Sequence, residues 1–435
     1  MSNAEFGSLT LFLFVLLALA RVLGNLFSRL RQPRVVGEIL AGTLLGPSLL
    51  GHFAPTLASA ILPQHGAAQT PYATVLAFLY NFGLLLLMFA SGAETKGLFN
   101  REDRREVAWL GAVGTGVPFV LALGVGGFLP LGRLTGPAGG RTPLLLVVSI
   151  GVAVTSIPVI SKILHDLGIL HTRFARLVLG VAVIEDIVLW AVLAIATALA
   201  KSGTVPQGQI AAHIAATVIY FGIGLLAAPK VLQKLTNARW NFLASSSPTA
   251  YVIVVLLAYV GIASLFDISL VFAAYLAGYG IASGRDYQAH AIASVTDFSF
   301  AVFIPIYFAV VGYKLDLSKS FSLGMVAVFL VGSSLMKLFS AGLGARIAGF
   351  SPRDCINLAA ALNARGGPGI VLASVAFDAG IINANFYTTL VIVAVLTSQA
   401  AGAWLEHLLR TEQPLLSAQT ADESLAIADE EELAA

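Results

Sequence analysis

Apolar residues along this chain fall in runs of roughly 18–25, the length an α-helix needs to cross the hydrocarbon core of a bilayer. Thirteen runs are read, at 8–28, 35–51, 72–93, 107–130, 143–164, 177–200, 209–228, 247–265, 267–284, 295–313, 322–345, 354–378 and 386–409. The second is short and glycine-rich. The pattern predicts an all-α polytopic membrane protein of about 13 transmembrane helices.

Two of these helices are interrupted at mid-membrane. The fifth carries Thr155-Ser156-Ile157-Pro158, and proline removes a backbone donor and clashes with the preceding turn. The twelfth carries Asn363-Ala364-Arg365-Gly366-Gly367-Pro368-Gly369. Non-helical backbone at that depth is tolerated only where it is buried in protein or lines a cavity. The two interrupted helices are seven apart, and an odd offset inverts the direction of travel. Helices 1–6 and 8–13 therefore read as inverted repeats joined by helix 7, with crossed discontinuous helices 5 and 12. Paired interruptions in matching positions of two halves point to a transporter binding site.

Positive charge orients the chain. With the first loop cytoplasmic, loops on that side hold 17 of the 25 Lys and Arg, and the opposite side holds 5. Arg21, Lys337 and Arg365 fall within helices. This bias puts the N-terminus outside and the C-terminus in the cytoplasm of the inner (plasma) membrane, and the regular alternation supports an odd helix count. No Lys or Arg precedes Arg21, so the first run is expected to be a retained helix rather than a cleaved signal. Residues 411–435, with Asp422, Glu423, Asp429, Glu430, Glu431 and Glu432, are expected to form a disordered acidic tail. No soluble regulatory domain is expected after the membrane part.

Composition narrows the function classes. The chain is 57% hydrophobic and 11% charged, against about 25% charged in soluble domains. No nucleophile–base constellation supports an enzyme, and no cofactor is expected. A net charge of +2 gives no sign of nucleic-acid binding. The single cysteine, Cys355, excludes an intrachain disulfide or a cysteine metal cluster. The glycines around Arg365 do not form a phosphate loop, because no Gly-Lys-Ser/Thr follows.

The strongest chemical signal is Glu185-Asp186, inside the apolar stretch 177–200. A charge at the bilayer centre costs about 2.5–3.5 kcal/mol on insertion scales, so intramembrane carboxylates mark ion paths, proton relays or counter-ions. Neighbours on a helix differ by about 100° in direction, so one acid lines a cavity while the other reaches an adjacent helix. Burial favours the neutral form of a carboxylate and a nearby cation favours the charged form. Such a group holds a proton or a metal cation, but not both. Lys337 sits in the mostly apolar run 325–345 and needs a partner, for which Glu185 and Asp186 are the candidates; the other reading is a snorkelling lysine. Thr155 and Ser156 offer hydroxyl oxygens beside freed carbonyls, suited to Na⁺ or K⁺, and the other reading is a plain proline kink. Arg365 screens the half-helix ends or pairs with an acid, and Asn363 offers an amide oxygen. Glu38 and Asp297 read as interfacial, and Lys314 as solvated. His165 and His171, with Asp166, read as loop residues that a pH sensor could use.

Five segments in order resemble the monovalent cation:proton antiporter-2 family. They are Gln32-Pro33-Arg34-Val35-Val36-Gly37-Glu38-Ile39-Leu40-Ala41-Gly42 with Leu45-Gly46-Pro47, then Leu87-Met88-Phe89-Ala90-Ser91-Gly92-Ala93-Glu94, Ala153-Val154-Thr155-Ser156-Ile157-Pro158, Val183-Ile184-Glu185-Asp186, and Ala364-Arg365-Gly366-Gly367. The resemblance covers roughly residues 8–410. It implies a homodimer whose protomers pair a dimerisation domain (helices 1–3 and 8–10) with a mobile core (helices 4–6 and 11–13) that moves as an elevator. It implies Asp186 as the ion-binding aspartate and Glu185 as its variable partner, which is Asp, Asn or Gln in the common subgroups. Lys337 then pairs with Glu185. Glutamate at 185 departs from all three pairs and leaves stoichiometry and ion preference open. The implied function is exchange of Na⁺, K⁺ or Li⁺ for H⁺. The alternatives are a cation-coupled symporter of an organic solute on the same core, or a potassium-efflux antiporter. The lack of a nucleotide-binding domain in the sequence argues against the gated efflux members.

Overall fold

The computed structural model describes residues 2–29, 32–53, 71–95, 103–126, 131–170, 172–201, 207–238, 241–282 and 286–417. His171 and most of the acidic tail lie outside them. Among the described residues there are helices and no strands, apart from one isolated bridge between Thr135 and Ile382.

The chain begins with α1 (Asn3–Arg29), α2 (Arg34–Leu45), α3 (Pro71–Thr95) and α4 (Arg104–Gly126). The fifth predicted span is two helices, α5 (Arg141–Ala153) and α6 (Ile157–Asp166). There follow α7 (Arg173–Lys201), α8 (Gln207–Leu226), α9 (Ala228–Thr236), α10 (Pro248–Leu265) and α11 (Leu270–Ile281). Next come α12 (Asp286–Phe298), a π-helical turn (Ser299–Phe303) and α13 (Ile304–Tyr313). The last helices are α14 (Leu323–Ala348), α15 (Pro352–Leu362), α16 (Gly366–Asp378) and α17 (Ala384–Arg410). Among the described residues eight helices are long and apolar enough to cross a membrane, or up to ten if each bent pair is one span. The bent pairs are α8–α9, at 50°, and α15–α16, at 42°. The chain is a multi-pass membrane protein.

Boundaries differ from the hydropathy reading where local chemistry overrides it. α2 stops at Leu45 rather than 51, because Gly46 is extended ahead of Pro47, as a residue preceding proline tends to be. The tenth span begins nine residues early, at Asp286, as a polar extension that hydropathy does not register. The seventh bends at Ala227, ahead of Pro229 in the first turn of α9.

Packing sorts the helices into two groups. α2 lies against α1 and α13, and α3 against α11 and α13. α4 lies against α14 and α5, α7 against α5 and α4, and α17 against α16 and α14. In the first group, glycines bring backbones into contact. A side chain on Gly42 would strike Ala309 and Tyr313, and one on Gly312 would strike Ile39 and Thr43. Gly92 and Gly278 make the same reciprocal contact between α3 and α11. Small residues at such crossings are how membrane helices pack without a hydrophobic driving force.

Candidate ion-binding site

The site lies where the two helix breaks meet. After Ala153 the chain is extended for three residues, and Ser156 then caps α6 by accepting from Val159 N at 3.3 Å. Pro158 falls in the first turn of α6, where a missing N–H costs nothing. In the second break, α15 ends at Leu362 and α16 starts at Gly366. Thr155 Oγ1 donates to Leu362 O at 2.5 Å, and Ser156 N donates to Ala364 O at 2.7 Å. The first break thus satisfies two carbonyls of the second, as buried backbone requires. Gly366 has φ of +23°, and a side chain there would collide with Val159. Its N–H donates to Ser398 Oγ at 2.9 Å. Gly367 and Pro368, fully buried in the first turn of α16, complete this junction.

Two cations hold the C-terminal end of α5. Lys337 Nζ, fully buried, donates to Ala153 O at 2.5 Å, to Gly114 O at 3.3 Å and to Glu185 Oε1 at 2.7 Å. Of its two candidate partners the lysine thus takes Glu185. Arg365 donates from Nη2 to Val152 O at 3.4 Å and to Asn363 Oδ1 at 3.2 Å, and from Nη1 to Ser333 Oγ at 2.5 Å. Positive charge near a helix C-terminus is stabilised by the negative end of the macrodipole. Asn363 therefore serves the arginine in this arrangement.

The two acids part company. Glu185 also accepts from Thr115 Oγ1 at 2.6 Å. Asp186 is fully buried and accepts a long hydrogen bond, 3.5 Å, from Ser91 Oγ. Its other oxygen, Oδ1, has no partner among the described residues. Ser91 lines a cavity of about 470 Å³ that also touches Arg21, Arg34, Glu38, Glu94, His165 and Trp190. Trp190 is one turn beyond Asp186 on α7. No cluster of three or more metal-ligating His, Cys, Asp or Glu occurs among the described residues.

Residues 13–411 match the family described as sodium/hydrogen exchanger, transmembrane. The chain belongs to the sodium/hydrogen exchanger family. It is 28% identical over 394 residues to the Na⁺/H⁺ antiporter NhaS4 of Synechocystis, covering 89% of this chain and 93% of that one. It is 26% identical over 401 residues to the Na⁺/H⁺-K⁺ antiporter GerN of Bacillus cereus, covering 90% and 94%. It spans about half the length of the plant relatives it matches, 47% in the case of cation/H⁺ antiporter 18 of Arabidopsis thaliana. The sodium proton antiporter MjNhaP1 of Methanocaldococcus jannaschii shares the fold, with a TM-score of 0.55 and 13% identity over 93% of this chain and 98% of that one. These relatives are antiporters, not enzymes.

Several residues of this exchanger's site escaped the sequence reading. Pro118 lies inside α4 and cannot donate to the carbonyl four residues back. That carbonyl belongs to Gly114, and Lys337 takes it. The signal was a proline one turn after a glycine, on a helix whose partner was unknown. Glu38, read as interfacial, is 5% exposed and lies within α2. Asp297 is exposed. Lys314 is not free in solvent. It pairs with Asp378 at 2.8 Å, and its Nζ lies 3.7 Å from the centre of the Tyr80 ring. Tyr80 also donates to Asp378 Oδ2 at 2.9 Å. His165 is exposed and lines the cavity.

Proposed function

We propose that the chain is a secondary antiporter exchanging a monovalent cation for H⁺ at Asp186, with Na⁺ favoured and K⁺ or Li⁺ as further candidates. One observation carries this reading. A fully buried aspartate, beside a Glu185 whose Oε1 is held by Lys337 and Thr115 and whose Oε2 is also without a donor, keeps its own Oδ1 without one. An unpaired buried carboxylate is costly unless it is protonated or meets a cation, so a proton and a metal ion compete for the same oxygen. Thr155 and Ser156 add oxygens through lone pairs that their own hydrogen bonds leave open. Lys337 and Arg365 compensate charge at the break.

The same reading includes thirteen spans, built as inverted repeats with crossing helices 5 and 12. It is supported by the symmetry of the packing. A seven-helix offset turns the α2–α13 contact into the α11–α3 contact, and each carries its reciprocal glycine pair. Helices 1–3 and 8–10 then form a fixed dimerisation scaffold in a homodimer, and helices 4–6 and 11–13 move against it as an elevator. The protein sits in the plasma membrane with its C-terminus cytoplasmic, as the loop charges suggest.

Everted vesicles loaded with a pH-sensitive dye test the reading. Adding Na⁺, K⁺ or Li⁺ should dissipate a preformed proton gradient between about pH 6 and 9. No response to any of the three sinks it.

A further inference from the structure

We infer that Glu38 is a second carboxylate on the ion path, a capture site that takes up the cation before Asp186. The inference rests on the antiporter reading and adds a residue to it.

The cavity has two unlike walls. One comes from α1, α2, α3 and the π-turn–α13 segment, and contributes Arg21, Arg34, Glu38, Ser91 and Glu94. The other comes from α6, α7 and α16, and is mostly apolar there, with Val159, Trp190, Pro368 and Val371. A cation moving inward past Arg34 therefore finds its carboxylates on the first wall. Glu94 is exposed. Glu38 is 5% exposed, lines the cavity, and has no hydrogen bond or ion pair among the described residues.

The residue is buried, but its carboxylate oxygens are not among the sealed, unpartnered atoms and open onto the cavity. The local structure puts it there on purpose. Gly37 lets α2 meet the backbone of α1 at Leu23 and Gly24, and a side chain on Gly24 would touch Glu38 Cγ and Oε1 at 3.5 and 3.7 Å. The carboxylate is thus laid along a backbone groove and faces the cavity instead of a partner. Arg21 and Arg34 share its wall without coming within ion-pair distance. They repel cations, so the charge of Glu38 is what makes this part of the cavity acceptable to one. Low-dielectric walls focus such a charge and raise the local counter-ion concentration. A carboxylate oxygen also replaces part of the hydration shell of a hard cation. Ser91 then leads on to Asp186.

Cation-driven exchange in proteoliposomes, measured against cation concentration, separates the possibilities. Wild type must exchange first; if it does not, the antiporter reading fails before this one is reached. Glu38→Gln should raise the apparent KM for the cation about tenfold with the maximal rate within twofold, and Glu38→Asp should restore most of the affinity. A wild-type KM in Glu38→Gln, or a loss of rate with KM unchanged, overturns the inference. Should Glu38→Gln not fold, Arg34→Gln decides. Removing that exposed positive charge should lower KM severalfold, and an unchanged KM counts against a capture site.

Discussion

Lys337 Nζ lies 2.7 Å from Glu185 Oε1, and neither side chain is reached by solvent. Removing one member of such a pair leaves a buried charge alone, at a cost of about 3–5 kcal/mol. Lys337→Ala should therefore destabilise the protein strongly in detergent, read by thermal unfolding. The double variant Glu185→Gln/Lys337→Gln should recover part of that loss. A double-mutant cycle with no coupling would mean that the pair does not act as a unit. Glu185→Asp keeps the charge but draws the acid back by one methylene. It should weaken the pair and alter charge movement on solid-supported membranes.

Asp186 carries the opposite stability prediction. Its Oδ1 has no donor, and an unsatisfied buried group costs about 1–3 kcal/mol. Asp186→Asn should abolish exchange while leaving the thermal midpoint equal to wild type or above it. A variant that loses both activity and stability would assign Asp186 a structural role.

Gly366→Ala tests the junction of the two breaks. The added methyl meets Val159, at a backbone conformation with positive φ, and overpacking of this kind costs about 1–3 kcal/mol. Val159→Ala in the same chain should return part of the stability by making room. Failure of that rescue would move the cost to backbone strain.

Lys314 and Asp378 bridge the two packing groups at the end of α3, α13 and α16 away from the cavity. Tyr80 lies eleven residues before Ser91 on α3, about 16 Å along a helix. The pair is half-exposed, so Asp378→Asn should change thermal stability by less than about 1 kcal/mol. It should change the exchange rate more, because the proposed elevator movement would have to part these residues. Equal rates in both proteins would remove the contact from the transport cycle.

Pro118→Ala gives the least obvious expectation. The new N–H can donate to Gly114 O and compete with Lys337 for it. Stability should hold or rise, since proline within a helix costs about 3 kcal/mol, while exchange should slow. A variant both stable and fully active would show that this carbonyl is dispensable.

Much of the site was legible in the sequence because a bilayer penalises every polar residue it covers. Glu185, Asp186, Lys337 and both breaks stand out against an apolar background for that reason. What was not legible depends on which helices are neighbours. The choice of Glu185 over Asp186 as partner of Lys337 follows from the facing of α7 toward α14. The burial of Glu38 follows from the glycine contact between α1 and α2, and the pairing of Lys314 from a residue 64 positions away. Hydropathy reads residues one helix at a time and is blind to all three.

The carbonyl that Pro118 releases has a consequence for Lys337. Besides Glu185, Lys337 holds two backbone oxygens, those of Gly114 and Ala153. Those oxygens act as a built-in hydration shell, anchored to backbone and needing no water. The lysine is thereby fixed by three oxygens, only one of which comes from its acidic partner. A missing hydrogen on one proline thus frees an oxygen that helps hold a lysine in the dry interior of the protein.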